Sequence, residues 1–176
     1  MSAILKPPFF NRPTLEVARD LLGKYLVREL NGKQIVLMLT EVEAYDGFDD
    51  KASHASRGKT ERNEIMFGPA GYIYMYLIYG MYWMLNIVTG PQEFPAAVLI
   101  RGTKEISGPG RLTKQLNLDR SFNKKLLVPK TMLWIEDREI RVLKKEIKRI
   151  PRIGVDYAGQ IWSKKPYRFV FIPKEN

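Results

Sequence analysis

The stretch YIYMYLIYGMYWMLN, Tyr72–Asn86, holds five of the nine tyrosines of the chain around one glycine. Tyrosines alternate with apolar residues from 72 to 77, and a second alternating run extends from 82 to 88. Side chains of a strand point alternately to the two faces of a sheet, so each run predicts a strand with two distinct faces. We expect a β-hairpin with Tyr79 and Gly80 near its tip.

Most rings of this hairpin can be ordinary sheet side chains, because aromatic residues favour strands. Tyr79 differs, since a ring at a hairpin tip cannot bury itself in its own sheet. Proteins that kink or unstack duplex DNA insert such side chains between base steps, and stacking on a base contributes ~1–3 kcal/mol. The projecting ring beside inward-facing tyrosines therefore suggests a base pulled out of the duplex and held between rings.

The whole chain is consistent with a nucleic-acid partner. Its 176 residues, 45% of them hydrophobic, predict one globular domain over 1–176. Lysine and arginine number 29 against 19 acids, a formal net charge of +10. Clustered cations gain affinity for nucleic acid by releasing counterions from its phosphates. Charge alone leaves a merely basic soluble protein equally open.

The composition also excludes several chemistries. The chain has no cysteine and one histidine, which excludes disulfides, zinc-thiolate sites, iron–sulfur clusters and a cysteine nucleophile. No metal-ligand spacing and no glycine-rich nucleotide loop occurs, so we expect neither metal nor cofactor. The N-terminal residues do not form a signal peptide, and no apolar run approaches membrane-spanning length. We expect a cytoplasmic protein, nucleoid-associated in a prokaryote, with no membrane partner.

The first half of the chain predicts a helix and then a hairpin. Thr14 or Asn11, beside a proline, can start a helix through TLEVARDLL, and Gly23 is a plausible terminator. The apolar residues expected to share its buried face are Leu15, Ala18 and Leu22. KYLVREL and KQIVLMLTEVEAY follow, with Asn31 and Gly32 between them, which predicts a β-hairpin.

The second strand of that hairpin carries two acids. Its odd-numbered residues form a single row at period two: Ile35, Leu37, Leu39, Glu41, Glu43 and Tyr45. If the register holds, an apolar row ends in partly desolvated carboxylates, whose raised pKa suits proton transfer near neutral pH. If the strand instead leaves the core at Thr40, both acids are solvated. The strand alone leaves both arrangements open.

Six segments of the chain resemble one known family. They are TEVEAYDG, SHASRG, RNEIMFGPAGYIYMYLIYGMYWMLNIV, AVLIRG, GPGRLTKQLNLD and RIGVDYAG with the following KKPYRF. In this order they resemble the alkyladenine (3-methyladenine) DNA glycosylases of base excision repair, and the resemblance extends from Phe9 to Phe169. Neither the acidic cluster nor the tyrosine hairpin alone is specific, but six ordered segments are.

The resemblance implies both a fold and an activity. The implied fold is a single α+β domain, built on a curved, largely antiparallel sheet with peripheral helices and a protruding hairpin. The implied activity is that of a monofunctional glycosylase. It flips an alkylated or deaminated purine out of duplex DNA and hydrolyses the N-glycosidic bond, leaving an abasic site. The implied partner is duplex DNA containing damaged purines, bound by a monomer.

The resemblance also implies residue roles, carried over by motif position. Glu43 is the general base that activates the attacking water, and Arg101 and the backbone around Ile153 position that water. Tyr79 enters the duplex through the minor groove and fills the vacated space. No lysine occupies the matched nucleophile position, so a Schiff-base intermediate and a strand-cleaving step are not expected.

The implied base pocket uses four further residues. Tyr45 lies on one side of the flipped base, with His54 and Tyr76 on the other. Asn86 lies at the floor, where it disfavours the exocyclic amine of guanine. Electron-rich tyrosine faces would favour a cationic alkylated purine by roughly 0.5–2 kcal/mol through cation–π attraction.

Other interpretations stay open on the sequence. The chain could be a non-catalytic nucleic-acid-binding domain that uses the same basic surface and rings. It could also be a carbohydrate-acting glycosidase with Glu41 and Glu43 as paired carboxylates. Residue by residue, His54 could be structural, Asn86 could satisfy backbone groups, and Arg101 could end a strand in solvent.

Overall fold

Strands dominate the computed structural model, which describes residues 2–173. The strands of that range are β1 Ala3–Ile4, β2 Tyr25–Leu30, β3 Lys33–Asp46, β4 Ile73–Ile78, β5 Tyr82–Val88, β6 Ala96–Thr103, β7 Leu133–Asp137, β8 Ile147–Ile150 and β9 Arg168–Phe171. The α-helices are α1 Pro7–Phe10, α2 Thr14–Leu21, α3 Pro109–Gln115 and α4 Gly159–Trp162. Short 3₁₀ turns lie at Glu64–Phe67, Arg120–Phe122, Pro129–Thr131, Lys144–Glu146 and Asp156–Ala158.

The strands form one sheet, and every pairing between them is antiparallel. Its order is β1-β7-β2-β3-β6-β5-β4, with β9 added to β3 and β8 added to β9. The first half of β3 pairs with β2, and the second half lies between β6 and β9. The helices pack against the sheet, so the predicted α+β class with a largely antiparallel sheet and peripheral helices is confirmed.

The first predicted helix and hairpin are present with small differences. Helix α2 begins at Thr14, and the chain leaves it before Gly23, whose φ of 80° suits a residue without a side chain. Its buried apolar face is Val17, Ala18 and Leu21; Leu15 is only partly buried and Leu22 follows the last turn. The turn between β2 and β3 lies at Asn31 and Gly32, both with positive φ, as a two-residue hairpin loop requires.

The tyrosine-rich hairpin is also confirmed. Its aliphatic face belongs to the main hydrophobic core, through Ile73, Met75, Leu85 and Ile87. Its other face carries Tyr74, Tyr76, Met84 and Asn86 toward a cleft on the opposite side of the sheet. The period-two alternation therefore separates structural from cleft-facing side chains.

A β-bulge in β3 changes which face the acids occupy. The pairing of β3 with β6 shifts register twice: β3 has an extra residue between Leu39 and Glu41, and β6 has one opposite the step from Glu41 to Val42. Leu39 precedes the bulge in the core, and the even-numbered Val42 and Ala44 continue the core row after it. The predicted single row was therefore wrong: Glu43 faces away from the aliphatic core, toward the cleft side. The alternative that leaves it solvated is also wrong, since Glu43 is fully buried.

Candidate active site in an aromatic cleft

A cleft of about 1430 Å³ opens between the β4–β5 hairpin and the loops that follow β3 and β8. The rings that line it are Tyr45, Phe48, His54, Tyr74, Tyr76, Tyr79, Tyr82 and Tyr157. Basic side chains at its border are Lys51, Arg57 and Arg62. Rings beside cations suit a planar base attached to a phosphate backbone.

Glu43 lies directly behind the wall of this cleft. Its Oε1 accepts a hydrogen bond from the backbone N–H of Ile153 at 2.8 Å, and its Oε2 accepts one from the Tyr45 hydroxyl at 2.9 Å. Arg101 Nε is 3.5 Å from the same Oε1. Tyr45, Arg101 and Ile153 all line the cleft, so a single layer of residues separates the carboxylate from it.

The surroundings of Glu43 suit a base that works near neutral pH. Burial raises the pKa of Glu43 above its ordinary value of 4.5, although Arg101 and the two hydrogen-bond donors oppose the shift. A carboxylate offers about four acceptor positions, so lone pairs remain beyond these contacts. Glu43 itself has no exposed surface, so its environment is set by Tyr45, Arg101 and Ile153.

Arg101, on β6, connects the two acids of β3. Its Nε donates to Glu41 Oε1 at 3.0 Å, and Arg168 Nη1 donates to the same oxygen at 3.3 Å. The side chain of Arg101 is 13% exposed, so the alternative of a solvated strand end is wrong. Glu41 serves two arginines, which makes it an anchor for Arg101 rather than a second free carboxylate.

His54 and Tyr76 form one stack at the side of the cleft. Their ring centroids are 3.7 Å apart with 24° between the planes. The guanidinium carbon of Arg62 lies 4.1 Å from the Tyr76 centroid. Two groups this close to one ring cannot share a face, so His54 and Arg62 cover opposite faces of Tyr76. His54 keeps exposed surface and presents its outer face, while Tyr76 meets the cleft with its edge.

His54 is neutral at physiological pH. Desolvation by the surrounding atoms, with a smaller effect of Arg62, lowers its pKa from 6.5 to about 4. Its Nδ1 lies 3.3 Å from the hydroxyl of Tyr74. Asn63, buried beneath the loop, donates from Nδ2 to the carbonyls of His54 and Gly58. The histidine is therefore held in place by both its ring and its backbone.

Tyr45 forms the facing wall. One face of its ring packs against the guanidinium of Arg152 at 4.8 Å, and the ring also borders the cleft. Desolvation and the neighbouring Glu43 hold the pKa of Tyr45 well above 10.0, so the phenol stays protonated and donates to Glu43. Tyr45 thus joins the base pocket to the carboxylate.

Asn86 is buried on the cleft side of β5. Its Nδ2 donates to the backbone carbonyls of Tyr74 and Met84, each at 3.2 Å. The amide satisfies backbone groups, as the structural alternative requires, and it also lines the cleft.

Tyr79 projects from the hairpin tip with 86% of its surface exposed. Its φ is 51° and that of Gly80 is 70°, and the Met81 N–H donates to the Ile78 carbonyl, as in a type I′ turn. A left-handed conformation costs a non-glycine residue roughly 1–2 kcal/mol. An exposed tyrosine in this conformation adds nothing to folding stability that would explain its presence, so the tip is a candidate functional element.

Residues 2–173 contain neither a cluster of potential metal ligands nor a helix suited to crossing a membrane. No group of three or more His, Cys, Asp and Glu in this range could hold a metal ion. None of the helices in the same range combines the length and apolar character needed to cross a membrane.

Three residues that organise the site were not among the predictions: Asp50, Arg62 and Arg152. Arg152 directly precedes Ile153 in RIGVDYAG, and Asp50 closes the acidic run after Tyr45. Neither position has a local pattern that shows its partner, because the two residues meet across 102 positions of sequence.

The chain is similar to known proteins over nearly all of its length. The family model described as methylpurine-DNA glycosylase (MPG) matches residues 8–107 and 103–175. Proteins provisionally named 3-methyladenine DNA glycosylase are similar over most of their length. The one from Methanocella arvoryzae is 45% identical over 94% of this chain and 91% of its own. The corresponding values are 40%, 94% and 95% for Psychrobacter cryohalolentis, and 43%, 93% and 88% for Myxococcus xanthus.

The fold, the cleft and these matches together define a DNA glycosylase, a hydrolase of N-glycosidic bonds. The chain belongs to the methylpurine-DNA glycosylase family. The family resemblance found in the sequence is therefore confirmed.

Proposed function

We propose that the protein flips alkylated or deaminated purines out of duplex DNA and hydrolyses their N-glycosidic bond with a water that Glu43 deprotonates. The observation that carries this proposal is the position of Glu43. It is a fully buried carboxylate with a raised pKa, and three residues that contact it form the wall of an aromatic cleft. A binding module would have no use for such a carboxylate, because burying a charge costs free energy even when it is paired, and this one adds no exposed contact.

The chemistry needs few groups. A purine alkylated at N3 or N7 carries positive charge, so its glycosidic bond is already weakened and one base with one water suffices. Glu43 takes the proton of that water, and Arg101 and the Ile153 N–H orient the carboxylate from the side of the cleft. The water oxygen bonds to C1′, and the C1′–N bond breaks with its electron pair going to the purine. An alkylated purine leaves neutral, whereas a deaminated purine leaves as an anion and then takes up a proton. The products are the free base and an abasic site.

The walls of the cleft support a flipped base between Tyr45 and His54, with Tyr76 behind His54. The floor at Asn86 limits which groups a purine can carry there. Cations behind the rings reduce the discrimination that tyrosine faces offer, because Arg152 and Arg62 already occupy faces of Tyr45 and Tyr76. Selection therefore depends more on the low cost of flipping poorly paired lesions than on cation–π attraction.

The exposed position of Tyr79 at the hairpin tip supports a role for its ring as the wedge in base flipping. Tyr79 is the most exposed large apolar residue in the described part of the chain, and it borders the cleft. In the proposed complex its ring fills the space of the extruded purine. The cations at the cleft border would contact the flanking phosphates, so affinity should fall steeply with salt. The monomeric state and the cytoplasmic location stay predictions.

The test uses duplex oligonucleotides that each carry one lesion: 3-methyladenine, hypoxanthine or an etheno adduct. Excision is detected by alkaline scission at the abasic site, with an undamaged duplex as control. The proposal predicts scission only after alkali, and no protein–DNA adduct when borohydride is added. Failure to release any base would favour a non-catalytic nucleic-acid-binding domain, and a trapped adduct would replace water with an amine nucleophile.

A further inference from the structure

Asp50 and Arg152 form a fully buried ion pair next to the proposed active site. Arg152 Nη1 is 2.5 Å from Asp50 Oδ2, and Nη2 is 2.8 Å from Oδ1, so the contact is bidentate. Both side chains have no exposed surface. The family resemblance implies no role for Asp50 or Arg152, and neither residue lines the cleft.

The pair connects three separate segments of the chain. Arg152 Nη1 also donates to the Ala44 carbonyl on β3 at 2.8 Å, one residue after Glu43. Asp50 accepts hydrogen bonds from the backbone N–H groups of Asp46 and Ala52, which fixes the turn that follows β3. A lysine could not reproduce this set of contacts, because only the guanidinium presents parallel donors to a carboxylate.

The connection ends at the groups that hold Glu43. Arg152 is bonded through the chain to Ile153, whose N–H donates to Glu43 Oε1. The same guanidinium packs on the ring of Tyr45, whose hydroxyl donates to Glu43 Oε2. Each oxygen of Glu43 thus depends on one group that Arg152 places.

We propose that Asp50 and Arg152 are a positioning pair, which fixes the Ile153 N–H and the Tyr45 hydroxyl on the two oxygens of Glu43. This inference rests on the proposed function of Glu43 as the general base. The pair does not touch the substrate. It acts through the direction of the carboxylate and through the charge behind it, since Asp50 neutralises a cation that would otherwise favour the ionised form of Glu43.

The charge effect has a defined sign. Several ionisable groups face Glu43: Glu41 and Tyr45 on its own strand, Arg101 on β6, Arg168 on β9 through Glu41, Arg152 and Tyr157 after β8, and Asp50 behind Arg152. Asp50→Asn leaves the Arg152 cation without its counter-ion, so the pKa of Glu43 should fall. Arg152→Met removes the cation and leaves an anion, so that pKa should rise.

The experiment measures single-turnover excision from a lesion duplex as a function of pH, lesion-duplex affinity, and thermal melting. The variants are Asp50→Asn, Arg152→Lys, Arg152→Met and the double variant Asp50→Asn with Arg152→Met. Asp20→Asn is the matched control, because Asp20 also accepts from arginines but lies on α2, away from the cleft. Glu43→Gln is measured in parallel.

We expect excision by Asp50→Asn and Arg152→Lys to be about tenfold to a hundredfold slower, the loss that small displacements of catalytic groups produce. Lesion-duplex affinity should change by less than about threefold, because the pair lies outside the cleft. The acid limb of the rate profile should move to lower pH in Asp50→Asn, to higher pH in Arg152→Met, and stay in place in Arg152→Lys. The control should match the wild type.

The double variant tests the positioning role if a single variant does not fold. It replaces both charged side chains by neutral ones, so neither charge is left buried without a partner. A folded double variant, or Arg152→Lys, that excises at the wild-type rate would overturn the positioning role. So would acid limbs that do not move apart in the two single variants. If Glu43→Gln itself excises normally, the proposed function fails instead, and the two failures are therefore distinct.

Discussion

The Tyr45 hydroxyl donates to Glu43 Oε2 across 2.9 Å, which joins the wall of the base pocket directly to the carboxylate. Because the two residues are separated by only Ala44 on a strand, their side chains share one face of β3. The bulge that precedes them turns this face from the core to the cleft side. The irregular pairing of β3 with β6 thus places the proposed base and one wall of the pocket together.

Glu43→Gln should make the protein more stable at neutral and alkaline pH. Burial raises the pKa of Glu43, so the folded protein binds this proton more readily than the unfolded chain. Its contribution to stability is therefore lost as pH rises through the window above 4.5. We expect the Tm of Glu43→Gln to exceed that of the wild type near neutral pH, because the substitution removes the cost of a buried charge. Differential scanning calorimetry should show the gap narrowing toward acid pH; a gap that widens there contradicts a raised pKa.

His54 should titrate far below an ordinary histidine. The chain has one histidine, so its imidazole resonances in an NMR titration need no further assignment. We expect a midpoint at a pKa of about 4. Since the folded-state pKa is lowered from 6.5, stability should be lost as pH falls from about that value toward 4. A midpoint near 6.5 would mean that the exposed surface of the ring offsets its desolvation by the neighbouring atoms.

Tyr79→Asn should remove the proposed wedge without destabilising the fold. Asparagine tolerates the left-handed conformation of the tip better than tyrosine, so the Tm should stay equal or rise. The excision rate should fall by about tenfold or more, because stacking of the inserted ring, worth ~1–3 kcal/mol, is lost. Tyr79→Phe keeps the ring and serves as the control, with excision close to that of the wild type. Equal activity of Tyr79→Asn and Tyr79→Phe would remove the wedge from the mechanism.

Asn63→Ala should loosen the loop that carries His54. The buried amide of Asn63 serves the carbonyls of His54 and Gly58 and the N–H of Thr60. Its removal deletes three part-buried hydrogen bonds to the backbone, which should destabilise the protein by about 1–3 kcal/mol in urea unfolding. Asn11→Ala, at an exposed position, is the control and should change stability by less than about 0.5 kcal/mol. If both substitutions have the same small effect, Asn63 does not hold the loop.

The sequence predicts those features of the fold that local patterns encode. Alternation around Gly80 was sufficient to place Tyr74 and Tyr76 on one face and Ile73 on the other. The same rule failed in β3, because a bulge inserts one residue without changing the composition of the strand. The face of Glu43 therefore followed from the structure and not from its parity.

Residues of the site also divide into those that the sequence identifies and those that only the structure shows. The resemblance to a family supplied Glu43, Tyr45 and Arg101, which the structure brings into contact. The contact between Asp50 and Arg152 could not be predicted, because it depends on the return of the chain after β8 to the end of β3. Arg62 was also missed, since its cation lies over a ring that the sequence places on a different element.

Single-turnover excision by Glu43→Gln, measured together with its affinity for the same lesion duplex, tests the central claim most directly. Glu41→Gln is the matched control, because Glu41 lies on the same strand and binds Arg101, whereas the Tyr45 hydroxyl and the Ile153 N–H donate to Glu43. We expect Glu43→Gln to bind the lesion duplex at least as tightly as the wild type and to release almost no base, with Glu41→Gln losing far less activity. Excision by Glu43→Gln at a rate close to the wild type would show that another group deprotonates the water, and would contradict the account.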